Sequence, residues 1–187
     1  MNFEVLESFD WYNEPGNVRF EDGAMLVFAR DGVDFWQSIH RGLKKDDAHF
    51  FYSRKDGDFS LTLKWSFSEI GSRSQCGIML RIDERNWFKA FITKSEYNEN
   101  ILSSSLTNNG HSDWSGFDLK QNIDCIWFRL VREQDDYILY YSLDGIRFLN
   151  NRIFYLKSYE DVKVGAYIAS PCQNNFSARL SDIKFED

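Results

Sequence analysis

The stretch "DFSLTLKWSF", residues 58–67, alternates strictly: Phe59, Leu61, Leu63, Trp65 and Phe67 fall on one side, and Ser60, Thr62, Lys64 and Ser66 on the other. A period of two marks a β-strand with one face in a core, because successive side chains leave a pleated strand on opposite sides. The same alternation runs through "QCGIMLRI" (75–82), "CIWFRLVRE" (125–133), "YILYYSL" (137–143), "VKVGAYIAS" (162–170) and "ARLSDIKF" (178–185). "EQDD" at 133–136 and Asp144-Gly145 join such runs and read as hairpin turns, the latter because Asp-Gly tolerates positive φ. Successive segments are therefore expected to be antiparallel neighbours.

"NWFKAFITKSEY" (86–97) fits either a strand or a helix with Trp87, Phe88, Phe91 and Ile92 on one stripe. The turn-like "DERN" (83–86) joins it to "GIMLRI" and favours the strand. Many short strands, little helix and no internal repeat predict an all-β fold, with two antiparallel sheets packed face to face as a β-sandwich or jelly roll. Aromatic residues make up 17% of the chain, which suits strands. A length of 187 residues suits one domain over 1–187.

The formal charge of -7 repels a phosphate backbone, and the one basic cluster, "RGLKK" at 41–45, is followed at once by Asp46 and Asp47. Nucleic acid is not an expected partner. Neither a secretory leader nor a membrane span is legible, and Cys76, Cys125 and Cys172 are odd in number and widely spaced. This pattern predicts a reduced, cytoplasmic setting without disulfides, metal or cofactor, in which the sequon "NFS" at 175–177 carries no glycan. Cys76 and Cys125 alternate with apolar positions and are expected to be buried.

Two places carry candidate binding chemistry. In the central strands, Gln75, Met79 and Arg81 oppose Cys76, Ile78, Leu80 and Ile82, while Trp87 and Lys89 oppose Phe88, Ala90 and Ile92. A sheet face with tryptophan, arginine and lysine can stack on sugar rings and bond their hydroxyls; it can equally be a solvated face of paired charges. The second place is "NNGHSDWSGFD" (108–118), which sets Trp114 among turn formers. There Gly110 and the asparagines permit a turn, Ser112 and Asp113 can hold it through side-chain to backbone bonds, and Trp114 is either a groove wall or a hydrophobic cap.

The blocks "DFWQSIH" (34–40), "CGIMLRIDERNWFKAFI" (76–92), "NNGHSDWS" (108–115), "YYSLDGIRF" (140–148) and "VGAYIASP" (164–171) resemble, in order, the motifs of a family in the concanavalin A-like lectin/glucanase superfamily. It is the domain-of-unknown-function family that includes the fungal regulation-of-enolase proteins. The resemblance implies a concanavalin A-like jelly roll whose concave sheet is the ligand surface in the wider superfamily. The motifs match at Asp34, Phe35, Trp36, Arg81, Trp87, Lys89, Ser112, Asp113, Trp114 and Ser115, which the resemblance sets around that sheet. The family pattern carries a glutamate six residues after the tryptophan of the N-W-x-K strand; here Thr93 stands in its place.

Glycoside hydrolysis needs two carboxylates across one bond. No Glu-x-Asp-x-Glu strand is present: Glu133-Gln134-Asp135 lacks the third acid and falls in a turn. Asp34, Asp83, Asp113 and Glu96 are the acids that separate strands could bring together. His40, at the parity of Trp36, could share a face with it. The sequence thus points to a lectin-like protein with Asp34, Trp36, His40, Arg81, Trp87, Lys89, Asp113 and Trp114 at the site, and an oligosaccharide or similar polyhydroxylated ligand as its partner. Its rivals are a glycosidase-type hydrolase and an intracellular module that binds and regulates another protein.

Overall fold

The computed structural model describes residues 6–38, 42–158, 161–172 and 175–186. Among these, strands form two large antiparallel sheets and one small hairpin. The eight-stranded sheet runs β1 (Asp10–Tyr12), β6 (His49–Lys55), β16 (Val162–Ala169), β8 (Gln75–Asp83), β9 (Asn86–Lys94) and β10 (Asn100–Asn108). The far side of β10 pairs with β11 (His111–Ser112) and β12 (Ser115–Asp118). The seven-stranded sheet runs β15 (Leu149–Tyr155), β14 (Asp136–Ser142), β13 (Cys125–Glu133), β7 (Phe59–Ser66), β17 (Ser177–Glu186), β3 (Ala24–Phe28) and β2 (Val18–Glu21). The hairpin pairs β4 (Phe35–Gln37) with β5 (Lys44–Asp46).

The alternating runs do what their period requires. Leu61, Leu63 and Trp65 of β7, Ile126, Phe128 and Leu130 of β13, and Ile78, Leu80, Phe88 and Ala90 of β8 and β9 are buried between the sheets. Each of the leucine, isoleucine and phenylalanine side chains contributes about 1.5–3 kcal/mol by leaving water. "NWFKAFITK" is a strand, joined to β8 by a tight turn in which Asp83 Oδ1 accepts the Arg85 N–H at 2.7 Å. Cys76 lies in this core, where burial pushes its thiol well above the ordinary range. Cys125 corrects the expectation of burial: it is half-buried, because it has the parity opposite to Ile126 and faces away from the core.

The eight-stranded sheet is packed on both faces. Met79, Trp87, Phe91 and Tyr167 point away from the seven-stranded sheet into a second apolar cluster with Val33, Phe35, Ala48 and Phe50. Phe35 enters it from the β4–β5 hairpin, its ring centroid 5.9 Å from Tyr167 and 6.3 Å from Trp87. The surface that the resemblance offers as an open groove is therefore covered over its middle strands, while residues 113–117 along its β11–β12 edge are exposed.

Candidate functional site

Under the hairpin sits a buried polar group. Lys89, 1% exposed on β9, donates from Nζ to Asp34 Oδ1 at 2.6 Å, to Gln75 Oε1 at 3.1 Å and to the Tyr167 hydroxyl at 3.0 Å. All three ammonium protons are thus used. Rings enclose the charge, with Phe91 and Tyr167 centroids each 5.0 Å from Nζ. Burial pulls the Lys89 ammonium below the usual lysine range and Asp34 opposes that pull. Burial pushes the Tyr167 phenol well above its own range, and the Asp34 carboxylate adds to the rise.

A second pair stands beside it. Arg81 grips Asp46 of β5 with two bonds, at 2.6 and 2.9 Å, while Tyr12 donates to the same carboxylate at 2.6 Å. Burial, then that hydrogen bond, raises the Tyr12 phenol. Together Asp34 and Asp46 clamp the hairpin to the sheet from both of its strands' sides.

His49 completes this region. Its Nδ1 is 2.6 Å from the Asn13 carbonyl and its Nε2 accepts the Arg30 N–H at 3.0 Å, which defines a neutral imidazole protonated at Nδ1. Burial lowers its pKa below 6.5. The unfolded chain then takes up a proton first as pH falls below 6.5, so stability present above that value is lost as pH drops toward the native pKa. Urea midpoints measured from pH 7 to pH 5 are expected to fall, and to fall less in His49→Asn; equal slopes in the two proteins would contradict this account.

Trp87 stands fully buried against Phe35, so its indole offers no face to solvent, and its Nε1 makes no hydrogen bond among the described residues. Trp36 projects opposite to Phe35 and Gln37, since alternation along β4 sends those two toward the sheet and the tryptophan away. His40 lies outside the described residues. Of the residues named from the sequence, Asp34 and Lys89 meet directly, Arg81 and Trp87 lie under the same hairpin, and Asp113 and Trp114 stand apart at the β10–β12 border.

That border is built by the polar loop. Asn109 and Gly110, with φ of 52° and 80°, form the two-residue turn from β10 to β11. Ser112 Oγ accepts the Gln37 N–H at 3.0 Å and lies 2.6 Å from Thr107 Oγ1, which ties loop to hairpin. Asp113 Oδ1 accepts the Leu106 N–H at 2.7 Å and Oδ2 pairs with Arg152 of β15 at 2.7 Å. Trp114, 53% exposed, then lies across Gly116: a Cβ there would sit 2.8 Å from the indole Cζ2 and 2.9 Å from Ser103 Oγ. The missing side chain at Gly116 leaves room for the ring beside Ile101 and Ser103. Ser103, 1% exposed, makes no side-chain hydrogen bond among the described residues.

The acids do not gather. Asp34 holds Lys89, Asp83 caps the β8–β9 turn, Asp113 holds Arg152 and Glu96 pairs with exposed Arg73. Among the described residues no three His, Cys, Asp or Glu side chains cluster as metal ligands would. Thr93 lies on the outer face and its hydroxyl also lacks a partner among the described residues. Sequence reasoning passed over Tyr167, whose parity opposite to Val164 and Ala166 sets it on the other face of β16, and over Asp46, which read as mere charge balance to "RGLKK".

Two facing antiparallel sheets define a β-sandwich whose fold is shared with lectin-like domains. A legume lectin-like domain from Entamoeba histolytica superposes on it with a TM-score of 0.65 at 11% identity, covering 100% of this chain and 93% of that one. The chain belongs to the family described as "Protein of unknown function (DUF1349)", whose model matches residues 11–187. It is similar to Regulation of enolase protein 1 of Saccharomyces cerevisiae, 33% identical over 129 residues that make up 69% of this chain and 64% of that protein. The matched part is thus under two thirds of that relative's length. A crystal structure described as a functionally unknown protein from Saccharomyces cerevisiae superposes with a TM-score of 0.90 at 28% identity, covering 97% of each chain.

Proposed function

We propose that the protein is a lectin-like, non-catalytic module that binds an oligosaccharide at the outer-face border of its eight-stranded sheet. The observation that carries this reading is Trp114: a half-exposed indole against Gly116, on an edge strand whose residues 115–117 are exposed as well. A rigid aromatic face with hydrogen-bonding groups at its edge suits the apolar side and the hydroxyl rim of a sugar ring. The lectin-like fold supports it. The scattered acids favour binding over hydrolysis, since none of the four faces another across a cleft.

On this reading Lys89, Asp34, Arg81 and Trp87 hold the hairpin and hence Gln37, which anchors the Ser112 end of the loop. They would shape the site without touching the ligand.

Thermal shift and titration calorimetry with neutral and acidic oligosaccharides test the proposal. Trp114→Ala is expected to lose about tenfold or more in affinity, about 1.4 kcal/mol, with an unchanged melting temperature, because the ring covers little core. Gly116→Ala should weaken binding too by lifting the indole. A flat response across the panel would overturn the reading and favour a protein partner. The relative's name, regulation of enolase, suits that rival, as do exposed Ile153 and Tyr155 on β15.

A further inference from the structure

At the same edge of the sandwich, on the other side of β12, the sheets part around a cleft of about 550 Å³. This is within the usual span of small-ligand sites. We propose that this cleft is a second sugar subsite, taking a neutral unit with adjacent hydroxyls from the same oligosaccharide; the inference rests on the lectin-like reading above.

Its walls supply the chemistry. Phe117 and Tyr141 present two rings, centroids 6.0 Å apart at 60°. Between the sheets stands the Asp113–Arg152 pair, fixed on one side by the Leu106 N–H and on the other by Ser104 Oγ, 3.0 Å from the guanidinium. Asp113 stays 54% exposed, so its carboxylate keeps lone pairs free for hydroxyl donors. Asn150 and Asn151 add amide donors and acceptors at the mouth. The register of β14 with β15 shifts here, from Leu139 opposite Arg152 to Tyr140 opposite Asn150, so Asn151 is a bulge residue outside the ladder. Bulges of this kind re-aim side chains beside sites.

Charge and polarity select the ligand class. The carboxylate and guanidinium cancel, so neither an anionic nor a cationic ligand gains; the polar lining disfavours a purely apolar one. Side chains alternate along β12, so Trp114 with Gly116 and Phe117 occupy opposite sides of one edge strand. An oligosaccharide stacked on Trp114 can pass over that edge into the cleft.

The probes are mono-, di- and tetrasaccharides of glucose, mannose and xylose, titrated into the full chain by calorimetry. For any series that binds, Asn150→Ala/Asn151→Ala is expected to lose about tenfold in tetrasaccharide affinity while keeping monosaccharide affinity and melting temperature. In the parent protein, the side-chain amide resonances of Asn150 and Asn151 should move with the tetrasaccharide and not with the monosaccharide. This second readout is independent of how the variant folds. Unchanged tetrasaccharide affinity with still amide resonances, alongside loss in Trp114→Ala, would overturn the cleft and leave the Trp114 site standing. No binding of any probe by the parent would overturn both.

Discussion

Gly77→Ala is expected to cost more than about 3 kcal/mol, enough to leave little folded protein in a domain of ordinary stability. Gly77 sits in β8 between two ladders, opposite Phe91 of β9 and Tyr167 of β16. A Cβ there would fall 1.8 Å from the Ala90 carbonyl oxygen and 2.6 Å from the Phe91 Cα. Both obstacles are backbone, so no rotamer change relieves them. The two central strands must separate, and with them goes the 2.7 Å bond from buried Trp65 Nε1 to the Gly77 carbonyl. Urea unfolding of the variant, if any folded signal survives, should show a collapsed midpoint; a variant within 1 kcal/mol of the parent would contradict the packing described here.

Asp34→Ala should be nearly as severe, at about 3–5 kcal/mol, because it leaves the Lys89 ammonium buried without its counter-ion. The penalty has a pH signature. The native Lys89 pKa is already below its unfolded value through burial, and losing the Asp34 attraction lowers it further. Above the native pKa the folded variant holds a neutral amine while the unfolded chain still carries the proton, so stability rises with pH up to about 10.5. The deficit of Asp34→Ala relative to the parent is therefore expected to shrink between pH 7 and pH 10. Asp34→Ala/Lys89→Met should cost less than the sum of the single changes, since the second removes the stranded charge. Additive costs with a pH-independent deficit would show that the pair is not coupled as drawn.

The strands with strict alternation were legible because one of their faces meets the inter-sheet core; β7, β8 and β13 follow their periods residue by residue. β9 was legible through its turn. β10, "NILSSSLTN", was not: it is packed on both sides with small polar residues on the outer face, so no alternation of hydrophobicity marks it. β15 was hidden for another reason, since its bulge breaks the period just where Asn150, Asn151 and Arg152 line the cleft. The parity of Arg81, Trp87 and Lys89 was readable, and so was the loop chemistry of Gly110, Ser112 and Asp113. What covers that parity face was not, because the docking of β4–β5 depends on contacts between segments far apart in the chain, Asp34 with Lys89 and Asp46 with Arg81. A sheet face bearing buried charges and one bearing solvated charges have the same sequence pattern.

The proposed site puts the ligand at Trp114 and not beneath the hairpin. Indole N–H resonances distinguish the two places, since Trp114 is exposed and Trp87 is sealed under Phe35. Two-dimensional amide spectra of the full chain, recorded as a binding oligosaccharide is added, should show the Trp114 indole signal move with saturation while that of Trp87 stays in place. Movement of the Trp87 indole with a still Trp114 would contradict the account and return the binding surface to the covered face of the sheet.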